Sequence, residues 1–203
     1  MNWLISFINF IAKNFFKKKK NSGKIIPEKF HKDEIIVRGI FTPLYISSKK
    51  ILREGAFLPP PKRQERDVSV LRHSYTDDNF CKNHCYKINL GQSYYSGLAF
   101  FLIKHMEDLV NKHNLQDSVY MRFSPLQEDY RTPITERPIF THFRGLPMHA
   151  DIYYNGEFTP GKPQTKFRLF AKELATNFSY YFEDPQPNEP GWIGKKIKYP
   201  IVS

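Results

Sequence analysis

The segment EIIVRGIF, residues 34–41, is a run of β-branched and aliphatic residues that predicts a β-strand. Arg38 lies in the middle of this strand, where a charged side chain needs a partner, an open cleft or a solvent-facing position. A cleft would make Arg38 available to an anionic ligand, so we treat it as a candidate binding residue. A place on the polar face of the sheet remains the alternative.

The rest of the chain divides into short strand patterns and amphipathic helix patterns. Strands are predicted at residues 67–71, 86–90 and 118–123 and directly after residue 148. Helices are predicted at residues 48–55, 93–113 and about 164–182. Loops are predicted at residues 77–83 and 124–138. These elements do not alternate regularly enough for a doubly wound sheet. The expected fold is therefore α+β, a mixed sheet of about five strands packed against two main amphipathic helices.

Residues 1–24 differ from the body, which we expect to be a single domain over residues 25–203. Their apolar run is shorter than the roughly 20 residues that a membrane-spanning helix needs. Its aromatic and aliphatic residues share one face of a helical wheel and are followed by four lysines, which predicts a basic amphipathic helix on an anionic membrane surface. The predicted membrane-contacting residues are Trp3, Ile8, Phe15, Lys17, Lys18, Lys19 and Lys20. Docking on the body or on a partner chain, as in a homo-oligomer, is the alternative.

The chain has 203 residues and a formal net charge of +11, of which six lysines in residues 1–24 supply more than half. A basic protein favours anionic partners, here a nucleic acid or a nucleotide. Two cysteines, Cys81 and Cys85, are too few for a disulfide framework, and reduced thiols indicate a cytoplasmic location, with the inner face of the membrane as the surface for the leader. Together with His73 and His84 they match no familiar zinc spacing, so no metal and no cofactor is expected.

Ionisable groups are densest in THFRGLPMHADIYY, residues 141–154, which ends in an alternating strand pattern. RNA cleavage through its own 2′-hydroxyl requires a base, an acid and a cation, and this stretch supplies two imidazoles and a guanidinium. The predicted catalytic residues are His142, Arg144 and His149. The predicted substrate-binding residues are Arg38, Ser69, Arg72, Asp151 and Tyr153.

Two readings without catalysis stay open for the same residues. In the first, the cluster is structural, with His149 donating to a backbone carbonyl and Asp151 pairing with Arg144. In the second, a basic surface rich in tyrosine and phenylalanine holds single-stranded nucleic acid by phosphate contacts and base stacking.

Arg144 and His149 are separated by four residues, a spacing that resembles the Arg-x4-6-His signature of HEPN ribonucleases. Sites of that family lie on a helix of an all-helical domain, whereas Gly145 and Pro147 interrupt this stretch and a strand follows it. The resemblance covers six residues, and it implies RNA cleavage by Arg144 and His149.

A second resemblance involves the first part of the body. Arg38 in a strand, a short helix ending at Gly55, and a next strand with Ser69 and Arg72 resemble the first third of ADP-ribosyltransferase folds. In that family a basic strand residue binds the dinucleotide, which makes a nucleotide transferase the alternative enzyme. The acidic catalytic residue that the family implies has three candidates here, Glu128, Glu136 and Asp151.

A short cationic leader on a small α+β body is typical of a bacterial effector that acts at a membrane or on RNA. The sequence therefore predicts a toxin-like effector, of the kind that serves in antiviral defence, with a His/Arg site for RNA or a nucleotide. The leader would hold this effector at an anionic membrane surface.

Overall fold

A computed structural model describes residues 23–60, 66–88, 90–155 and 164–199. Six strands form one sheet in the order β4-β5-β2-β1-β3-β6, and every neighbouring pair is antiparallel. The strands are β1 (Ile35–Thr42), β2 (Asp67–Arg72), β3 (Tyr94–Leu102), β4 (Val119–Phe123), β5 (His149–Tyr154) and β6 (Tyr180–Glu183). The described α-helices are α1 (Asp78–Cys85), α2 (Ile103–Lys112) and α3 (Thr165–Glu173). The α+β class is thus confirmed, whereas the sheet is wholly antiparallel rather than mixed.

The predicted strand at residues 34–41 is β1, and it lies in the middle of the sheet between β2 and β3. Its Ile36, Val37 and Ile40 are fully buried, as expected for a β-branched strand inside the core. The strand pairs with β3 along its whole length. With β2 it pairs only at Ile36–Arg72 and Val37–Leu71, so the two strands have no ladder bonds beyond those pairs.

Helix α1 covers part of β1 and β3, although the sequence predicts a loop at residues 77–83. Asp77 explains the difference, because its side chain accepts a hydrogen bond from the Phe80 amide at 2.8 Å and caps the helix. At the other end of α1, Cys85 packs directly on β1. A Cβ atom on Gly39 would lie 2.6 Å from the Cys85 sulfur, so only glycine allows this approach.

The C-terminal segment, residues 184–199, lies against α1. Its backbone amides at Gly191 and Trp192 donate to the side-chain oxygens of Asn83 and Asn79, at 2.9 and 2.6 Å. Trp192 is also partly buried against the core, as an anchoring role predicts. In the same region, Lys82 of α1 forms a buried ion pair with Asp184. These contacts fix the position of α1 on the sheet.

The predicted helix at 93–113 is wrong over its first half, which forms β3, and right over its second half, which forms α2. Eight of the nine β3 residues are buried, because the strand lies in the interior with both faces covered. A strand of this kind is a continuous apolar run, which contains apolar pairs at three- and four-residue steps by coincidence.

Three further element predictions need correction. Residues 48–55 form no α-helix, because an antiparallel bridge between Ile46 and Leu52 closes a turn with Lys50 at φ 59°. The described residues of 86–90 form no strand: Tyr86 and Lys87 continue from α1 as a turn, and Leu90 forms an isolated bridge with Ser93. The helix at 164–182 ends early, since α3 passes into a π-helical turn at Leu174–Phe178 and the chain then extends as β6.

The predicted amphipathic helix at the N-terminus, with its membrane-contacting residues, lies outside the described residues and stays a prediction. In the part of the chain that the structure describes, no helix is long and apolar enough to cross a membrane.

Candidate functional site

A cavity of about 190 Å³ lies where β1 and β2 separate. Its walls are mainly apolar, and its polar lining brings together groups from four elements. These groups are Arg38 of β1, Asp67 and Ser69 of β2, His84 of α1 and His149 of β5. We call this space the β1–β2 cavity. Two imidazoles and one guanidinium therefore line the same hollow.

His149 is held in one orientation by the residue that follows β4. Its Nδ1 lies 2.8 Å from the Ser124 carbonyl oxygen and 3.0 Å from the Ser124 hydroxyl. A carbonyl oxygen only accepts, so Nδ1 carries the proton and donates to it. This leaves Nε2, 3.8 Å from Asp151 Oδ1, as the nitrogen available to a ligand. The sequence reading in which His149 donates to a backbone carbonyl is thus confirmed, and the ring still lines the cavity.

Asp151 is the central acceptor of a hydrogen-bond network beside His149. Its Oδ2 accepts from the Ser124 hydroxyl at 2.6 Å and from the Arg122 guanidinium at 3.1 Å. Arg122 also donates to Asp67 at 2.9 Å, so one guanidinium bridges two carboxylates. The predicted Asp151–Arg144 pair is replaced by Asp151–Arg122, because Arg122 is the direct cross-strand neighbour of Asp151.

His84 reaches the cavity from α1, and Tyr130 covers it from the long loop after β4. The two rings meet edge to face with centroids 5.2 Å apart, and Tyr130 has a left-handed backbone at φ 56°. A left-handed tyrosine is uncommon and is found where the surroundings fix it. Burial, and to a smaller extent the charge of His149, lowers the pKa of His84 to about 4. His84 is therefore uncharged at neutral pH.

The low pKa of His84 predicts a specific loss of stability in acid. In the unfolded chain His84 has the ordinary histidine pKa of 6.5. Between pH 6.5 and about 4, His84 is therefore protonated in the unfolded chain and neutral in the folded protein. Above pH 6.5 His84 is neutral in both states and costs no stability. The free energy of unfolding falls as the pH drops from 6.5 to about 4. We expect His84→Gln to remove up to about 2 kcal/mol of this acid-induced destabilisation, at about 1.4 kcal/mol per pKa unit. Urea unfolding at pH 7 and pH 4.5, with His142→Gln as control, measures the difference.

Arg38 crosses the gap between the two separating strands. Its Nη1 donates to the Ser69 carbonyl at 2.7 Å, and the guanidinium carbon lies 5.1 Å from the centre of the Tyr45 ring. The Nε–H is buried and has no hydrogen-bond partner among the described residues. A buried guanidinium donor without an acceptor is costly, and an anion in the cavity would supply the acceptor.

The cysteines provide no nucleophile for this site. Burial raises the pKa of Cys85, which lines the cavity, to about 12. It also raises the pKa of Cys81 well above the ordinary thiol value. Both thiols are therefore protonated at neutral pH and act as small apolar side chains.

The structure brings together some of the predicted site residues and separates others. Arg38, Ser69 and His149 line the cavity, Asp151 adjoins His149, and Tyr153 lies on the same sheet face. His142 and Arg144 lie outside the cavity lining. The exposed His142 ring stacks against Phe140 and Phe143, which also contact each other, and accepts from the Gly23 amide. Arg144, 88% exposed, lies 3.5 Å from Glu128.

Arg72 is removed from the candidate binding residues because it is fully buried in an ion pair with Glu34. The sequence interpretation missed His84, which it considered only as a zinc ligand. Among the residues that the structure describes, no group of three or more potential ligands could hold a metal ion. The aspartate cap at Asp77 was the available signal, since a helix there would have placed His84 on the sheet.

The chain matches no protein-family model, and no curated protein or solved structure is significantly similar to it.

Proposed function

We propose that the β1–β2 cavity cleaves RNA by acid–base catalysis, with His84, His149 and Arg38 as its catalytic residues. The observation behind the proposal is that two imidazoles and a guanidinium with an unpartnered, buried Nε–H line one cavity. A perturbed histidine pKa in a cleft of this kind is typical of functional sites.

The proposed reaction uses the 2′-hydroxyl of the RNA as the nucleophile. Neutral His84 removes the 2′-hydroxyl proton, the 2′-oxygen bonds to phosphorus, and the bond from phosphorus to the 5′-oxygen breaks. Protonated His149 donates its Nε2 proton to the departing 5′-oxygen. The products are a 2′,3′-cyclic phosphate and a 5′-hydroxyl, so protons and bonds balance.

Arg38 and the Ser124–Asp151 pair have supporting parts in this scheme. The free Nε–H of Arg38 stabilises the extra negative charge that the phosphorus oxygens gain in the transition state. The Ser124 carbonyl and hydroxyl fix the His149 ring, and Asp151 stabilises its positive charge from 3.8 Å.

Cleavage of a fluorophore–quencher RNA tests the proposal. His84→Gln, His149→Gln and Arg38→Gln are each expected to lower kcat/KM by about 100-fold, the size of a lost acid, base or charge-stabilising group. His142→Gln is the matched control, because that histidine is exposed and outside the cavity, and it is expected to keep full activity. The new RNA ends should carry 2′,3′-cyclic phosphate.

Thermal unfolding of each variant shows whether it is folded. A folded wild-type protein that does not cleave RNA would contradict the proposal, as would 3′-hydroxyl ends. An equal loss of kcat/KM in His142→Gln would contradict the cavity as the site and favour the sequence prediction at residues 142–149.

A further inference from the structure

Two tyrosines stand beside the β1–β2 cavity on the same face of the sheet. Tyr120 of β4 is paired with Tyr153 of β5, and Tyr153 is paired with Asp67 of β2, which lines the cavity. Residues directly opposite in antiparallel strands share a face. Tyr120, Tyr153 and Asp67 therefore form one row that leads from the edge of the sheet to the cavity.

The two rings form an accessible surface, which we call the tyrosine platform (Tyr120 and Tyr153). Their centroids are 5.3 Å apart with planes tilted by 44°, and Tyr120 is 42% exposed. The Arg122 guanidinium carbon lies 4.4 Å from the centre of the Tyr153 ring and packs against it. Tyr120 is thus the more exposed ring of the pair, and Tyr153 packs beside it.

The guanidinium beside the platform is already paired with two carboxylates. Arg122 bridges the carboxylates of Asp67 and Asp151, at 2.9 and 3.1 Å. This ion-pair cluster has no spare positive charge to attract a phosphate. A ligand of the platform must therefore bind by stacking, which does not depend on net charge, while phosphate contacts belong to Arg38 in the cavity.

We propose that the tyrosine platform is a base-stacking subsite for single-stranded RNA whose backbone enters the β1–β2 cavity. This inference rests on the proposed function and specifies its substrate class. Two strand spacings, about 10 Å, separate β4 from β2, so a base on Tyr120 and a phosphate in the cavity belong to the same short segment of RNA. Paired RNA keeps its bases stacked inside the duplex and cannot present one to the platform.

Binding of a labelled 2′-O-methyl pentauridylate tests the inference. This probe lacks the nucleophilic hydroxyl, so its affinity does not depend on whether the protein cleaves RNA. A matched 2′-O-methyl oligomer without bases is the second probe. Tyr120→Ala is expected to weaken binding of the pentauridylate by about tenfold, the effect of one lost stacking contact, and to leave the abasic probe unchanged. Tyr120→Phe should bind as wild type does.

Tyr94→Ala is the matched control, because Tyr94 is also an exposed strand tyrosine but lies at the far side of the sheet, on β3. An equal affinity of wild type for the two probes overturns the inference, as does a Tyr120→Ala variant that binds the pentauridylate normally. Either result leaves the cleavage proposal standing if His149→Gln still lowers kcat/KM as expected. If every cavity variant keeps its turnover while Tyr120→Ala weakens binding as expected, the protein has an RNA-binding surface without the proposed chemistry.

Discussion

Arg72→Met is expected to lower the free energy of unfolding by about 3–5 kcal/mol, because it leaves a buried carboxylate without its partner. Arg72 is fully buried, and its Nε and Nη2 donate to the two Glu34 carboxylate oxygens at 2.6 and 2.8 Å. The guanidinium also donates to the backbone carbonyls of Pro27 and Lys29, which ties the segment before β1 to β2. The guanidinium carbon of Arg72 lies 4.2 Å from the centre of the Phe30 ring.

Equilibrium unfolding in urea measures this loss. Arg144→Met is the matched control, since the ion pair of Arg144 with Glu128 is exposed and its loss should change stability by less than about 1 kcal/mol. A double variant, Arg72→Met with Glu34→Gln, should recover part of the loss because no charge remains buried. A single variant as stable as wild type would show that Glu34 finds another partner, contrary to this expectation.

Lys82→Met is the second large effect, also about 3–5 kcal/mol. The Lys82 ammonium and the Asp184 carboxylate are both fully buried and lie 2.8 Å apart, and Lys82 donates to the Gln186 carbonyl at 2.7 Å. Methionine fills a similar volume but leaves Asp184 charged and unpaired inside the protein. Because this pair joins α1 to the C-terminal segment, we also expect the pocket around His84 to loosen.

Urea unfolding gives the stability of Lys82→Met. Quenching of Trp192 fluorescence, measured with Trp3 replaced by Phe, reports whether the C-terminal segment detaches first. Lys112→Met is the control. The Lys112 ammonium lies 2.7 Å from a Glu173 carboxylate oxygen, a distance close to that of the buried pair, but Lys112 is exposed. Adding Asp184→Asn to Lys82→Met should restore part of the stability. An unchanged midpoint in Lys82→Met would contradict the assigned role of the pair.

Local patterns in the sequence predicted the bounds of three of the six described strands. The strand at residues 34–41, the strand at 67–71 and the strand at 118–123 all form close to their predicted bounds. The patterns failed at β3, where eight of the nine residues are buried and the long apolar run fits a helix as well as a strand. They also failed at β6, which follows a helix so closely that the two apolar patterns merge.

The candidate site was predictable only in part because it depends on strand register. His149 and Arg38 were found as ionisable groups in or beside strands, 111 positions apart, and only the order of strands brings them to one cavity. The expected partner of His149 was its sequence neighbour His142. The structure instead supplies His84, from a helix whose position depends on a distant part of the chain.

That dependence has a consequence during synthesis. The last described stretch of the chain, residues 184–199, holds the helix that carries His84, although this helix is made more than a hundred residues earlier. A nascent chain that has emerged only as far as β5 has Arg38 and His149 but no fixed second imidazole. If the cavity cleaves RNA as proposed, the nascent protein is expected to stay inert on the ribosome until residues 184–199 have emerged.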